Sequence, residues 1–136
     1  MVEMKMVYEG QLHCQATHGP SGAALATDAP VDNMGRGQSF SPTDLVATAL
    51  GTCMLTTMGI IAQRHNIDIA GAKLNVTKEM VSQPSRRVGR LAVTIAMPKN
   101  LPPDDRKRLE NAAQTCPVMV SLHPDIQAPV VFNWPE

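Results

Sequence analysis

Three cysteines are the residues of this chain best suited to chemistry. Cys53 lies in a long uncharged stretch, Cys116 stands directly before a proline, and Cys14 falls in an alternating segment near the N-terminus. The thiolate, not the thiol, is the nucleophile, and an unperturbed thiol with a pKa of about 8.5 is only a few per cent ionised at pH 7. A reactive cysteine therefore needs a neighbour that favours its charge. Cys53 and Cys116 are 63 positions apart, so they form no CxxC motif, and only the fold can pair them. The N-terminus, MVEMKMVYEG, has no apolar signal region, and an odd cysteine count in such a chain favours thiols with chemistry over a disulfide framework. Cys14, on the inner face of a predicted strand, reads as a core residue. His13, Cys14 and His18 are metal-ligand types, but their mixed spacing fits no zinc pattern, so neither a metal nor a cofactor is expected.

The element that must carry Cys53 spans residues 41–66, SPTDLVATALGTCMLTTMGIIAQRHN. Ser41 with Asp44 three places on is a capping-box variant, and Pro42 suits the first helical position. Apolar residues then recur on nearly every face, which predicts a helix of about 39 Å, at 1.5 Å per residue, buried on more than one side. Gly51 and Gly59 read as points of close approach to another backbone. No Lys, Arg, Asp or Glu falls between Asp44 and Arg64, which admits a membrane span. Thr48, Thr52, Thr56 and Thr57 weaken that reading. The stretch is taken as the central helix of a soluble core that also packs on a partner subunit.

Around it the pattern is regular. Residues 2–9 and 11–17 alternate as a hairpin with one face buried, and residues 23–27 give a third strand. Residues 28–40 form a loop rich in Pro, Asp, Asn and Gly that brings Arg36 and Phe40 to the helix entrance. A second hairpin covers residues 73–81 and 87–97, with Gly89 marking a bulge where Val88 falls out of phase. Residues 104–115 predict a surface helix with acids in its first turn. Cys116 before Pro117 predicts the N-cap of a further short helix, where the dipole favours a thiolate. A closing strand over 125–134 is an edge strand, given Pro129. The order βββ, long helix, ββ, two helices, β gives an α+β fold with mainly antiparallel sheets. At 136 residues it is expected to be one domain, 1–136. Twelve Lys plus Arg balance twelve Asp plus Glu, which leaves no electrostatic case for nucleic acid or an anionic membrane. Cytoplasm is the expected compartment.

Taken together, S-P-T-D-L before a long apolar helix, the cysteine in G-T-C-M, the following hairpin and the second cysteine in C-P-V resemble the OsmC/Ohr superfamily of osmotically inducible and organic hydroperoxide resistance proteins. The resemblance covers nearly the whole chain. It implies an intertwined homodimer with active sites at the interface and a thiol peroxidase reaction on organic hydroperoxides. By that resemblance Cys53 is the peroxidatic residue and Cys116 resolves its sulfenic acid to a disulfide, which a dithiol, lipoyl or thioredoxin-like, then reduces. In the family's peroxidases an N-terminal arginine, held by a glutamate near the helix start, activates the thiolate. Here the comparable loop reads His18-Gly-Pro-Ser-Gly22 without arginine, Thr43 stands ten places before Cys53, and the nearest carboxylate is Asp44. Arg36, Arg86 and Arg87 are the candidates for the cation. Arg36 is preferred because its loop leads into the helix, where Asp44 can orient it. The competing reading is a non-catalytic dimeric module on the same fold, binding an apolar small molecule or sensing redox state.

Overall fold

A computed structural model describes residues 1–136, which form two compact units, Met1–Val46 and Ala47–Glu136. The first holds β1 (Met4–Tyr8), β2 (His13–His18) and β3 (Ala24–Asp28), paired antiparallel in that order. Gln11 and Leu12 take positive φ in the turn between β1 and β2, so the second strand starts two residues later than the alternation suggested. Pairing of Met4 with His18, Met6 with Ala16 and Tyr8 with Cys14 puts these side chains on one face, with Leu25 and Thr27 beside them from β3. The sequence predicts that face to be buried, yet Met4, Met6, Tyr8 and Leu25 are all exposed. Cys14 is half-buried on the same face rather than part of a core.

The loop after β3 is tied down. Asp28 is the one strongly buried acid of the sheet, and its carboxylate meets His13 Nδ1 at 2.7 Å across the β2–β3 ladder. The other ring nitrogen of His13 faces Glu9 at 3.5 Å. The Asp28 amide donates to Phe40 O, closing the loop at its base. Inside it, a single 3-10 turn, Val31–Asn33, leads to Gly35, where a Cβ would stand 1.7 Å from Ala29 O. Only glycine fits there.

Helix α1, Pro42–Arg64, starts on a complete capping box: the Asp44 amide donates to Ser41 Oγ at 3.0 Å, and the Ser41 amide donates to the Asp44 carboxylate at 2.9 Å. By length and composition it is long and apolar enough to cross a membrane. Its side chains instead mark a core helix, because Ala47, Leu50, Gly51, Met54, Met58 and Ala62 form one buried stripe at three- and four-residue steps. The opposite stripe, including Val46 and Ile60, is exposed.

In the second unit this stripe packs with β4 (Lys73–Val81), β5 (Arg87–Ala96), α2 (Pro103–Gln114), α3 (Pro117–Ser121) and β6 (Val130–Asn133). Leu50, Met54, Met58, Leu91, Ile95 and Leu109 are fully buried, each worth roughly 1.5–3 kcal/mol of transfer free energy. The sheet order is β4-β5-β6, with β4 antiparallel and β6 parallel to β5, and β6 at an edge as Pro129 suggested. Gly89 is the bulge. Glu79 pairs Arg90 and Met80 pairs Val88, so Gly89 is the unmatched residue that lets Val88 and Leu91 both face the core. Gly51 accommodates the Leu74 side chain, and Gly59 faces open space, so neither lies against a backbone.

Two polar contacts of the first unit are testable by urea denaturation. Ser41→Ala leaves the Asp44 amide without its cap and should cost about 1 kcal/mol. His13→Ala leaves a buried carboxylate without its ring partner and should cost more, roughly 1–3 kcal/mol. Equal stability of His13→Ala and the parent would show that solvent reaches Asp28 without cost.

Candidate active site

Cys53 and Cys116 are brought together inside the second unit. Cys53 is half-buried on α1 and packs against the core cluster that contains Cys116. Cys116 is fully buried. The two chain segments meet because the buried stripe of α1 and the buried face of α2, Leu109, Ala112 and Ala113, belong to one apolar core. Cys116 follows α2 after a single residue, Thr115, and is therefore carried into that core.

Cys116 is the N-cap of α3, as its position before Pro117 predicted, and its sulfur accepts the Met119 amide at 3.4 Å. The protonation state does not follow the expectation from that position. Burial pushes the Cys116 thiol above its ordinary value. The Met119 amide, with a smaller contribution from Val118, opposes that shift, while a hydrogen bond to Cys53 and the charge Cys53 carries when ionised reinforce it. Helix-end donors are present, but desolvation outweighs them. Its neighbour Cys53 thus favours the protonated form of Cys116.

Thr57, one turn along α1, places its hydroxyl oxygen 4.0 Å from Cys53 Sγ. The sequence reading missed this contact, although the i, i+4 spacing signals it. Arg36 and Asp44 belong to the first unit. The Arg36 guanidinium donates to the Gln11 side-chain oxygen, and the Asp44 carboxylate serves the capping box. Asp44 also borders a shallow depression with Gly37, Gln38, Ser39 and Phe40. Of the other two arginines, Arg86 is exposed at the hairpin tip, whereas Arg87 is half-buried and donates to Val88 O at 3.3 Å.

Residues 35–129 match the family described as OsmC-like protein. A protein of Psychrobacter arcticus, provisionally described as an osmotic stress induced and detoxification response protein, is 46% identical over 97% of this chain and 96% of its own, with a TM-score of 0.92. The organic hydroperoxide resistance protein OsmC of Legionella pneumophila shares the fold with a TM-score of 0.77 at 13% identity, covering 98% of this chain and 96% of that one. OhrB of Bacillus subtilis, an organic hydroperoxide resistance protein, does so at 0.68 and 16% identity, with 97% of each chain covered. Comparison with functionally curated proteins gives no match.

The order of proton loss has a direct readout in site-resolved alkylation followed by mass spectrometry. In the reduced protein Cys116 should become reactive only above the ordinary thiol range. In Cys53→Ser its alkylation midpoint should move to lower pH, because a bond and a charge that raise it are removed. An unmoved midpoint would mean that burial alone sets it.

Proposed function

The chain belongs to the OsmC-like protein family, and we propose that it is a thiol-dependent peroxidase that reduces organic hydroperoxides as a cytoplasmic homodimer. The observation supporting this is the meeting of two free sulfurs 63 positions apart, one half-buried and one held as a thiol. The neighbours described as organic hydroperoxide resistance proteins supply the substrate class.

In this reading the Cys53 thiolate attacks the terminal oxygen of the hydroperoxide. The O–O bond breaks, the alkoxide takes a proton and leaves as the alcohol, and Cys53 is oxidised to a sulfenic acid. The Cys116 sulfur then attacks the sulfenic sulfur. Its proton and the departing hydroxyl leave as water, and a Cys53–Cys116 disulfide remains. An external dithiol, lipoyl or thioredoxin-like, returns two hydrogens and is itself oxidised. Arg36 polarises the thiolate and the peroxide, with Asp44 orienting it. The two compact units act as one functional domain, 1–136. Dimerisation is supported by the apolar side chains that a single chain leaves uncovered, Met4, Met6, Tyr8 and Leu25 on the sheet and Val46 and Ile60 on α1. A second reading, a binding or redox-sensing module without turnover, draws on Arg36, whose guanidinium is engaged by Gln11.

Mixing the reduced protein with cumene hydroperoxide separates the two. Turnover requires rapid loss of two thiols per chain, abolished by Cys53→Ser, with the Cys53–Cys116 disulfide found by peptide mapping. Loss at the rate of free cysteine identifies the module instead. Arg36→Ala should slow the first step at least tenfold, about 1.4 kcal/mol in the barrier. An unchanged rate removes Arg36 from the mechanism. Size-exclusion at micromolar concentration should give twice the chain mass.

A further inference from the structure

We infer that the Thr57 hydroxyl is a hydrogen-bond donor to the Cys53 thiolate and sets the fraction of Cys53 that is ionised near neutral pH. The inference rests on Cys53 being the nucleophile of the proposed reaction. The first observation is where this hydroxyl points. A helical threonine or serine ordinarily turns its hydroxyl back to a carbonyl in the preceding turn. Thr52 does so, donating to Thr48 O at 2.8 Å and Ala49 O at 3.3 Å, as do Thr115 to Asn111 O at 2.8 Å and Ser121 to Pro117 O at 2.7 Å. Thr57 instead sets its oxygen 4.0 Å from Cys53 Sγ.

The second observation is the chemistry of the acceptor. A neutral thiol is a weak acceptor, and 4.0 Å is a loose contact. A thiolate accepts strongly, so the same contact tightens when the sulfur carries charge. Ionisation thus creates the bond, which is the condition for a donor to favour the charged form over the neutral one. Thr57 and Cys53 are both half-buried, where a hydrogen bond to a charge is stronger than in water. Cys116, whose burial favours its protonated form, belongs to the core against which Cys53 packs. A thiolate at Cys53 therefore meets a neutral donor of its own helix, whatever cation completes the site.

Thr57→Val keeps the shape and removes the hydroxyl, whereas Thr57→Ser keeps the hydroxyl and removes the methyl. The probe is iodoacetamide, with Cys53 alkylation read by mass spectrometry from pH 5 to 10. In Thr57→Val the midpoint should rise and alkylation at pH 7 should fall roughly tenfold, the scale of a hydrogen bond to a charged group. Thr57→Ser should follow the parent. A Thr57→Val profile that overlays the parent overturns the inference, and so does a Thr57→Ser profile displaced as far as that of valine, since the hydroxyl would then not be what sets the midpoint. Alkylation needs no peroxide. A shifted valine profile in a protein that consumes no hydroperoxide would retire the peroxidase reading alone, and an unshifted one in an active enzyme would retire this inference alone.

Discussion

Burial of the Cys116 thiol in the C-terminal core couples packing to chemistry. A protonated thiol behaves there as a small apolar group, in contact with a core built from α1, β5 and α2. A thiolate in the same place would be a charge withdrawn from water, compensated only in part by the Met119 and Val118 amides. The fold therefore favours the protonated form of Cys116. The same burial makes the two sulfurs unequal. Cys53 is half-buried and open in part to solvent, whereas Cys116 is closed off from it.

Everything that holds this arrangement lies in how few ways the apolar stripe of α1 can be covered. Ala47, Gly51 and Ala62 keep it slim, Leu50, Met54 and Met58 fill it, and the Leu74 side chain takes the space a Gly51 Cβ would occupy. The Gly89 bulge serves the same packing from the sheet. Without one extra residue in β5, the side chains on one side of it would turn outward and part of the core face would be lost. The chain then runs from α2 into α3 across Thr115 and Cys116, so a small error in the seating of α2 would move the second sulfur directly.

Periodicity and caps made most of the fold legible. The order of elements, the Ser41–Asp44 box, the bulge at Gly89 and the N-cap at Cys116 are local events, decided by residues within a few positions of one another. Burial was harder to read because it is decided at a distance. Alternation correctly grouped Met4, Met6 and Tyr8 on one face, but no local rule says whether anything covers that face within one chain. Cys116 shows the same limit. Its cap position pointed to a stabilised thiolate, and only the core around it shows that desolvation wins. Thr57 was legible in principle from its spacing to Cys53. The period picks out a neighbour but not the direction its hydroxyl takes.

The uncovered surface also bears on where a substrate can come from. At 3.6 residues per turn, Ala49, Thr56 and Ile60 lie on the α1 flank beside Cys53, whereas Thr48, Gly51, Thr52 and Leu55 open onto a groove of about 200 Å³ with Leu74 and Val76 on a different side of the helix. That groove therefore opens on a side of α1 away from Cys53. The flank that does reach Cys53 is the exposed one, where Ile60 meets water in a single chain. On the peroxidase reading, a sulfenic acid formed there without cover would lie open to further oxidation. On the homodimer reading, the surface that asks for a second chain is the one that would wall the nucleophile. Assembly and protection of the intermediate then have a single physical origin, the unburied side of one helix.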